Sequence, residues 1–210
     1  PPPTPCPLPP AGKSLRGASF NGARLNGARL DGADLETASL LGAQALHRSV
    51  TMCHTRDGSA RHRAPDWFAD AQANAASFRG AKMVKADLQG ADLTGAIFER
   101  ADLRRANFIY STLSGTSFES ADMRLAVLTL ITKAKGVSFD RANLEGTSIT
   151  DSSMQQASFI ETNLRDVRVE DVNLSRSYWQ GVQTRGMAFV DSWLTNAFLV
   201  GVNFDGVNMN

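Results

Sequence analysis

The stretch KADLQGADLTGA, residues 85–96, repeats a small, a polar and a large apolar residue every five positions. A period of five matches neither the 3.6-residue period of an amphipathic helix nor the two-residue period of a strand. The same unit recurs in three runs, whose central large apolar residues begin at Leu15, Phe78 and Phe139. Of the 32 centres in these runs, only Thr184 is polar. The chain must therefore turn an apolar side chain inward every five residues.

This period predicts a square coil of about 20 residues, in which each side of the square is one five-residue unit. Two residues of each unit point inward: the large centre and the small residue two positions before it, such as Ala18 or Ala76. Successive coils are expected to stack at about 4.8 Å and to bury their apolar residues against each other. The predicted fold is an all-β solenoid of about eight to nine coils with turns at the corners.

Units such as Ala33-Asp34-Leu35, Ala86-Asp87-Leu88 and Ala142-Asn143-Leu144 resemble the pentapeptide-repeat family, whose units read roughly Ala-(Asp/Asn)-Leu-X-X. The resemblance covers about residues 13–210, apart from one insertion. It implies a right-handed quadrilateral β-helix. It does not by itself imply one function, because a fold of this kind hosts many roles.

Three segments depart from the repeat. Residues 1–12 contain seven prolines and are predicted to be a linker or tail. A loop insertion at about 46–65 separates the first two runs, after which either the coil resumes or a short helix, capped by Asp66, runs to Ala76. One extra residue lies within 129–136, where a bulged corner is expected. The predicted domain is thus a β-helix from 13 to 210 with these two interruptions.

The insertion contains all three histidines of the chain, and four arginines against a single acid, Asp57. We interpret it as a surface loop. If it is instead a binding loop, its candidate partner-binding residues are His54, His62, Arg61 and Arg63. A metal site at Cys53, His54 and His62 is disfavoured, because an adjacent Cys and His lack the spacing of a tetrahedral site. No metal or cofactor is therefore expected.

No histidine lies outside the insertion, and the chain contains no glycine-rich phosphate loop, so an enzyme is not expected. The formal net charge is only +1, and residues 66–210 carry 17 acids and 14 bases. The alternative function, a DNA-mimicking topoisomerase-binding resistance protein, is known within the family, but it requires a strongly acidic surface. No apolar run could span a bilayer and no signal peptide is visible. We therefore expect a cytoplasmic or leaderless secreted protein that binds neither nucleic acid nor membrane.

Side chains twenty residues apart should stack into columns on the outer surface. The column of Asn143, Asn163, Gln183 and Asn203 is predicted to form an amide ladder along the axis. Removing an outward carboxylate such as that of Asp92 is expected to change stability by less than about 0.5 kcal/mol. Large apolar side chains also fall on outward positions near the C-terminal end, where we expect an interface. These candidate partner-binding residues are Tyr178, Trp193, Phe198 and Val200, with Ile160 nearby.

These patterns favour a non-enzymatic protein–protein interaction scaffold that forms one domain of a larger bacterial protein. The family resemblance extends this expectation to secreted effectors and secretion adaptors, in which such domains also occur. The last two centres, Phe204 and Met209, are followed by no further repeat in this sequence. Because solenoid ends need a cover, we expect a fused domain, a partner protein or a second copy of the chain to pack on this end.

Overall fold

The computed structural model describes residues 14–19, 34–36, 38 and 73–209. Within these ranges the chain forms short strands and turns and contains no helix. The strands, numbered in chain order, are β1 (Val127–Thr129), β2 (Ser148–Ser153), β3 (Ser158–Ile160), β4 (Arg168–Asn173), β5 (Tyr178–Gln180), β6 (Ala188–Val190), β7 (Phe198–Val200) and β8 (Asn208–Met209).

The strands form two parallel sheets on different sides of a solenoid. One sheet has the order β1-β2-β4-β6-β8 and spans four turns, and the other has the order β3-β5-β7. Residues 20 apart are paired, as Phe159 is with Trp179. Isolated bridges continue the stacking towards the N-terminus, and one column of paired residues comprises Ser14, Asp34, Ser77, Ile97, Ser117, Ser138, Ser158, Tyr178 and Phe198. The predicted right-handed quadrilateral β-helix is confirmed.

From residue 73 to residue 126, every corner of the square is a tight turn, and these turns repeat every five residues. The N–H of Ala81 donates to the carbonyl of Phe78, and the N–H of Ala86 donates to that of Met83, both at 2.9 Å. The residue two positions after each centre, here called the corner residue, has a positive φ, such as 63° at Gly80 and 58° at Lys85. A positive φ at the third residue is what a type II turn requires. The small residue closes the turn and then points inward, which explains why it is small.

The Asp or Asn before each centre stabilises the corner that follows it. Its side-chain oxygen accepts a hydrogen bond from the N–H two residues later. The N–H of Thr94 donates to Asp92 Oδ1, and the N–H of Glu145 donates to Asn143 Oδ1, both at 3.1 Å. Such side chains commonly stabilise turns in this way.

One link of the predicted amide ladder forms, in which Asn163 Nδ2 donates to Asn143 Oδ1 at 2.9 Å. The side chains of Gln183 and Asn203, further along the column, do not continue it. This column therefore links neighbouring coils as well as closing corners.

The repeat centres fill the interior of the solenoid. Every centre from Phe78 to Phe189 is at most 7% exposed, including Thr184 at 6%. On one side of the core, aromatic rings of successive coils stack with centroids 4.4 to 5.4 Å apart. This stack comprises Phe78, Phe98, Phe118, Phe139, Phe159 and Trp179. Stacked rings add to the stabilisation that burial alone gives.

The expectation that every centre is buried is wrong for the terminal coil, residues 190–209. Leu199 and Met209 are 44% and 54% exposed, and Leu194 and Phe204 are only partly covered. The physical reason is that a centre is covered by the coils on both of its sides. Among the residues that the structure describes, no coil lies beyond this one.

The stacking register changes once within residues 73–209. Asn107 pairs with Val127, 20 residues later, whereas Thr112 pairs with Lys133, 21 residues later. The additional residue is accommodated with Ile131 fully buried and its N–H donating to Ser152 Oγ at 3.0 Å. The irregular corner therefore adds an inward side chain without breaking the stack.

The coils on either side of the insertion stack directly on each other. Ser14 pairs with Asp34, 20 residues later, but Asp34 pairs with Ser77, 43 residues later, so 23 residues are additional to one coil. The proposed boundaries at 1–12 and 46–65 lie outside the described residues. The alternative of a helix that reaches Ala76 is wrong in the part that can be seen. Ala73 and Ala76 are buried repeat positions, and the N–H of Ala73 donates to the Asp92 carbonyl of the next coil.

Candidate interaction surface

The terminal coil presents large apolar side chains on outward repeat positions. Trp193, Phe198 and Val200 are 55%, 62% and 46% exposed. Tyr178, which the sequence also placed on the surface, is only half-exposed because the ring of Phe198 lies beside it, with centroids 6.3 Å apart. Ile160 is likewise half-buried. Three of the four aromatic or aliphatic candidates are therefore exposed, and the fourth supports Phe198.

Two kinds of exposure must be distinguished on this coil. Leu199 and Met209 are repeat centres, so their side chains point inward and a further coil would cover them. Trp193, Phe198 and Val200 occupy outward positions, so their exposure does not depend on what packs on the end of the solenoid. These three outward residues, which we call the terminal patch, are the stronger evidence for an interaction surface.

Trp193 also borders a hollow of about 480 Å³ on the adjoining corner. Two carboxylates, those of Asp171 and Asp191, line this hollow together with Met209. The side chains along this part of the terminal coil are thus both apolar and acidic.

Exposed apolar side chains are otherwise sparse in the described ranges. Only Tyr110 and Leu125, at 38% and 51% exposure, add to those of the terminal coil. The other outward columns are dominated by Asp, Asn, Ser and Thr, which pair along the axis or close corners. The terminal coil therefore differs in kind from the sides of the solenoid.

One set of outward charges forms a series of ion pairs along a corner of the square, which we call the charge ladder. The Arg104 guanidinium lies 2.6 Å from Asp102 and 3.7 Å from Asp122 of the next coil, and Arg124 lies 2.7 Å from Asp122. Partial burial acts to raise the pKa of Asp122, but hydrogen bonds from the Arg124 side chain and backbone outweigh it and hold that pKa below its usual value. Hydrogen bonds to the same carboxylates raise the pKa of Arg104 and Arg124. The contact between Arg104 and Asp122 links two neighbouring coils.

The sequence analysis missed this charge ladder, although a signal for it exists. Asp and Arg occur two positions apart at 102 and 104, and again at 122 and 124. Because residues 20 apart stack, the two pairs had to become neighbours.

The remaining candidate residues, His54, His62, Arg61 and Arg63, lie outside the described residues, as does Cys53. Across the ranges that the structure covers, no group of three His, Cys, Asp or Glu side chains could hold a metal ion. The same ranges contain no helix long and apolar enough to cross a membrane.

Two solved structures have related folds at low identity. A trypsin-treated form of QnrB1, a plasmid-mediated fluoroquinolone resistance protein, is 16% identical over 95% of this chain and 91% of that chain, with a TM-score of 0.49. HetL, a pentapeptide repeat protein involved in heterocyst differentiation regulation from the cyanobacterium Nostoc sp. strain PCC 7120, is 20% identical over 95% and 90%, with a TM-score of 0.32. Neither likeness bears on function. No curated protein matches this chain.

The family assignment rests on the repeats themselves. The pentapeptide repeat model matches eight copies, over residues 12–44, 68–100, 86–129 and 138–176. The matched ranges include more than half of the chain, and those that the structure describes form the stacked coils. The chain therefore belongs to the pentapeptide repeat family.

Proposed function

We propose that this chain is a non-enzymatic interaction scaffold that binds another protein through its terminal coil. The observation that supports the proposal is the exposure of Trp193, Phe198 and Val200 on outward positions of one coil. Tryptophan is among the residues enriched at the energetic centres of protein interfaces. Outward positions of the preceding coils hold mainly small polar residues, so the patch is local.

Within the described residues, no further coil pairs with the outer backbone edge of the terminal coil. In the preceding coils, the N–H of a centre commonly donates to a carbonyl of the next coil, as from Leu174 to Trp193 at 2.8 Å. A strand edge with free donors and acceptors readily pairs with another chain. A partner that covers the edge could therefore bury Leu199 and Met209 while it contacts the terminal patch.

The experiment compares the double variant Trp193→Ser/Phe198→Ser with the wild-type chain. Tyr110→Ser, which removes an exposed aromatic ring from a different corner, is the matched control. Each protein is used as bait in affinity capture with quantitative mass spectrometry, and its own mass is measured by light scattering at about 100 μM. Thermal midpoints are recorded in parallel, and we expect them to be unchanged, because both substituted side chains point outward.

If the proposal holds, the wild-type chain and Tyr110→Ser retain one specific protein or a second copy of the chain, and the double variant loses it. A monomeric wild-type chain whose captured proteins are identical to those of the double variant would show that the terminal patch is not an interface.

A further inference from the structure

A second surface feature follows one corner of the square, far from the terminal coil. It is a groove of about 610 Å³ that runs past five successive coils. Its lining includes Lys85, Arg105, Leu125, Gly146 and Asp166, which occupy the corner-residue position of those coils. Because successive coils are about 4.8 Å apart, the groove is about 19 Å long.

The N-terminal end of the groove has uncompensated positive charge. Arg104 and Arg124 are neutralised by the carboxylates of the charge ladder. Lys85 and Arg105, in contrast, form no ion pair with any residue that the structure describes. Both are exposed corner residues, with φ of 58° and 60°, on neighbouring coils. Two free cations therefore lie side by side at this end.

The middle of the groove is apolar. Leu125 is 51% exposed and leans over Gly146 of the next coil. A Cβ placed on Gly146 would lie 2.8 Å from Leu125 Cδ2, so a side chain at 146 would displace the leucine from this position. Because Gly146 has no side chain, the Leu125 side chain lies over its backbone and forms an apolar stretch of the groove.

The C-terminal end of the groove is acidic. The carboxylate of Asp166 leans over Gly186 of the next coil, where a Cβ would overlap its Oδ1. Asp166 forms no ion pair with another described residue. Along the corner the groove therefore offers two cations, an apolar stretch formed by Leu125 and then an anion, in that order.

We propose that this groove binds an extended segment of a partner protein that has two carboxylates at one end, an apolar side chain in the middle and a lysine or arginine at the other end. In an extended chain, alternate side chains are about 6.8 Å apart on one face, so residues 1, 3, 5 and 7 span about 20 Å. This length matches that of the groove. The two cations at one end and the anion at the other determine the direction in which the segment lies.

The same charges argue against a nucleic acid in the groove. A phosphate backbone is uniformly negative, and it would meet Glu145 and Asp166 over the C-terminal half. A peptide of mixed charge avoids this repulsion. The proposal does not depend on the terminal patch, because none of the residues that form the groove belongs to the terminal coil.

The test uses fluorescence anisotropy with a fluorescein-labelled peptide, Glu-Ser-Glu-Ser-Leu-Ser-Lys, and its charge-reversed counterpart, Lys-Ser-Lys-Ser-Leu-Ser-Glu. The full chain is titrated at low ionic strength, where charge contacts are least screened. The groove variants are Leu125→Ser and the double variant Lys85→Glu/Arg105→Glu. The matched control is Lys133→Glu/Lys135→Glu, which makes the same change in net charge with exposed lysines outside the groove.

We expect the first peptide to saturate with a Kd below about 1 mM and the charge-reversed peptide to bind at least about tenfold more weakly. Lys85→Glu/Arg105→Glu should weaken the first peptide about tenfold or more, Leu125→Ser about threefold, and the control less than about twofold. Lack of saturation by the wild-type chain, or equal weakening by the two double variants, would overturn the proposal. Neither result would affect the terminal patch, whose own variants are tested separately.

Discussion

At the scale of single residues, the buried hydroxyl groups differ in whether they form a hydrogen bond. Thr116 and Thr162 occupy small positions, and each Oγ1 donates to a carbonyl of the previous coil at 2.8 Å. Ser111 occupies an equivalent buried position, but its Oγ has no hydrogen-bond partner. A threonine side chain is restricted at χ1, which favours one direction for its hydroxyl, whereas a serine side chain is freer.

Ser111→Ala is therefore expected to raise the free energy of unfolding by about 1 kcal/mol, because it removes an unsatisfied buried polar group. Thr116→Ala, the matched change at a satisfied position, should lower it by about 1 kcal/mol or more. Urea denaturation of the two variants measures both effects. A loss of stability in Ser111→Ala equal to that in Thr116→Ala would show that Ser111 has a partner.

The loss of stability that we expect from Asp92→Ala is larger than the outward position of Asp92 in the repeat suggests. Its Oδ1 accepts the N–H of Thr94 at 3.1 Å and the Thr94 hydroxyl at 2.7 Å. We expect Asp92→Ala to lower the free energy of unfolding by about 1 to 2 kcal/mol, which exceeds the roughly 0.5 kcal/mol expected for an ordinary surface change. Asp92→Asn should lower it by less than Asp92→Ala does. Phe108→Ala, in the fully buried core, should lower it by about 3 to 5 kcal/mol. If urea denaturation gives Asp92→Ala the same free energy of unfolding as the wild type, Asp92 does not stabilise the turn.

At the scale of the repeated element, the corner turns require a positive φ, and many of the residues that adopt it are not glycine. Corner residues have positive φ whether or not they are glycine, for example 64° at Gly115 and 57° at Ser120. Side chains other than that of glycine are disfavoured in this conformation by about 1 to 2 kcal/mol. Stacking of the coils, which orders every corner on both sides, evidently overcomes this local preference.

Introducing glycine at one corner and removing it from another should change the free energy of unfolding in opposite directions. Ser120→Gly is expected to stabilise the chain by about 0.5 kcal/mol, since relief of strain exceeds the added freedom of the unfolded chain. Gly115→Ala is expected to destabilise it by about 1 kcal/mol, although nothing lies within 4 Å of the added Cβ. Thermal unfolding of the two variants provides the comparison. Shifts of the same sign would mean that the positive φ does not limit these corners.

At the scale of the whole molecule, the stack is continuous across its longest interruption. The N–H of Leu35 donates to the Ser77 carbonyl at 2.7 Å, and the N–H of Lys82 donates to the Ala38 carbonyl at 2.9 Å. Coils in a solenoid depend mainly on their nearest neighbours. We therefore expect these coils to remain stacked without the segment between them.

Deleting residues 46–65 and joining the ends with a short Gly/Ser link should preserve the fold. We expect an unchanged far-ultraviolet circular dichroism spectrum and a thermal midpoint within a few degrees of that of the full chain. A deletion of 20 residues from 85–104, one complete coil, is the comparison that tests tolerance of coil number. Loss of cooperative unfolding only in the 46–65 deletion would show that the insertion covers part of the core.

The architecture was predictable because the period of five alone determines which side chains point inward. The same rule placed Trp193 and Phe198 outside. It could not foresee that Tyr178 is half-covered by its neighbour in the column, because that depends on ring orientation. It also missed the corner groove, since Gly146 matters only through the lean of Leu125 towards it. The sequence was enough to predict which residues form the core, whereas the side-chain contacts of the outer surface could be seen only in the structure.

Two tryptophans offer the most direct test of the central claim, that repeat position decides whether a side chain forms the core or is available to a partner. Trp179 is a repeat centre with 1% exposure, and Trp193 lies on an outward position with 55% exposure. In urea denaturation, Trp179→Ala is predicted to lower the free energy of unfolding by about 3 to 5 kcal/mol, and Trp193→Ala by less than about 0.5 kcal/mol. Equal losses, or a larger loss from Trp193→Ala, would contradict the claim.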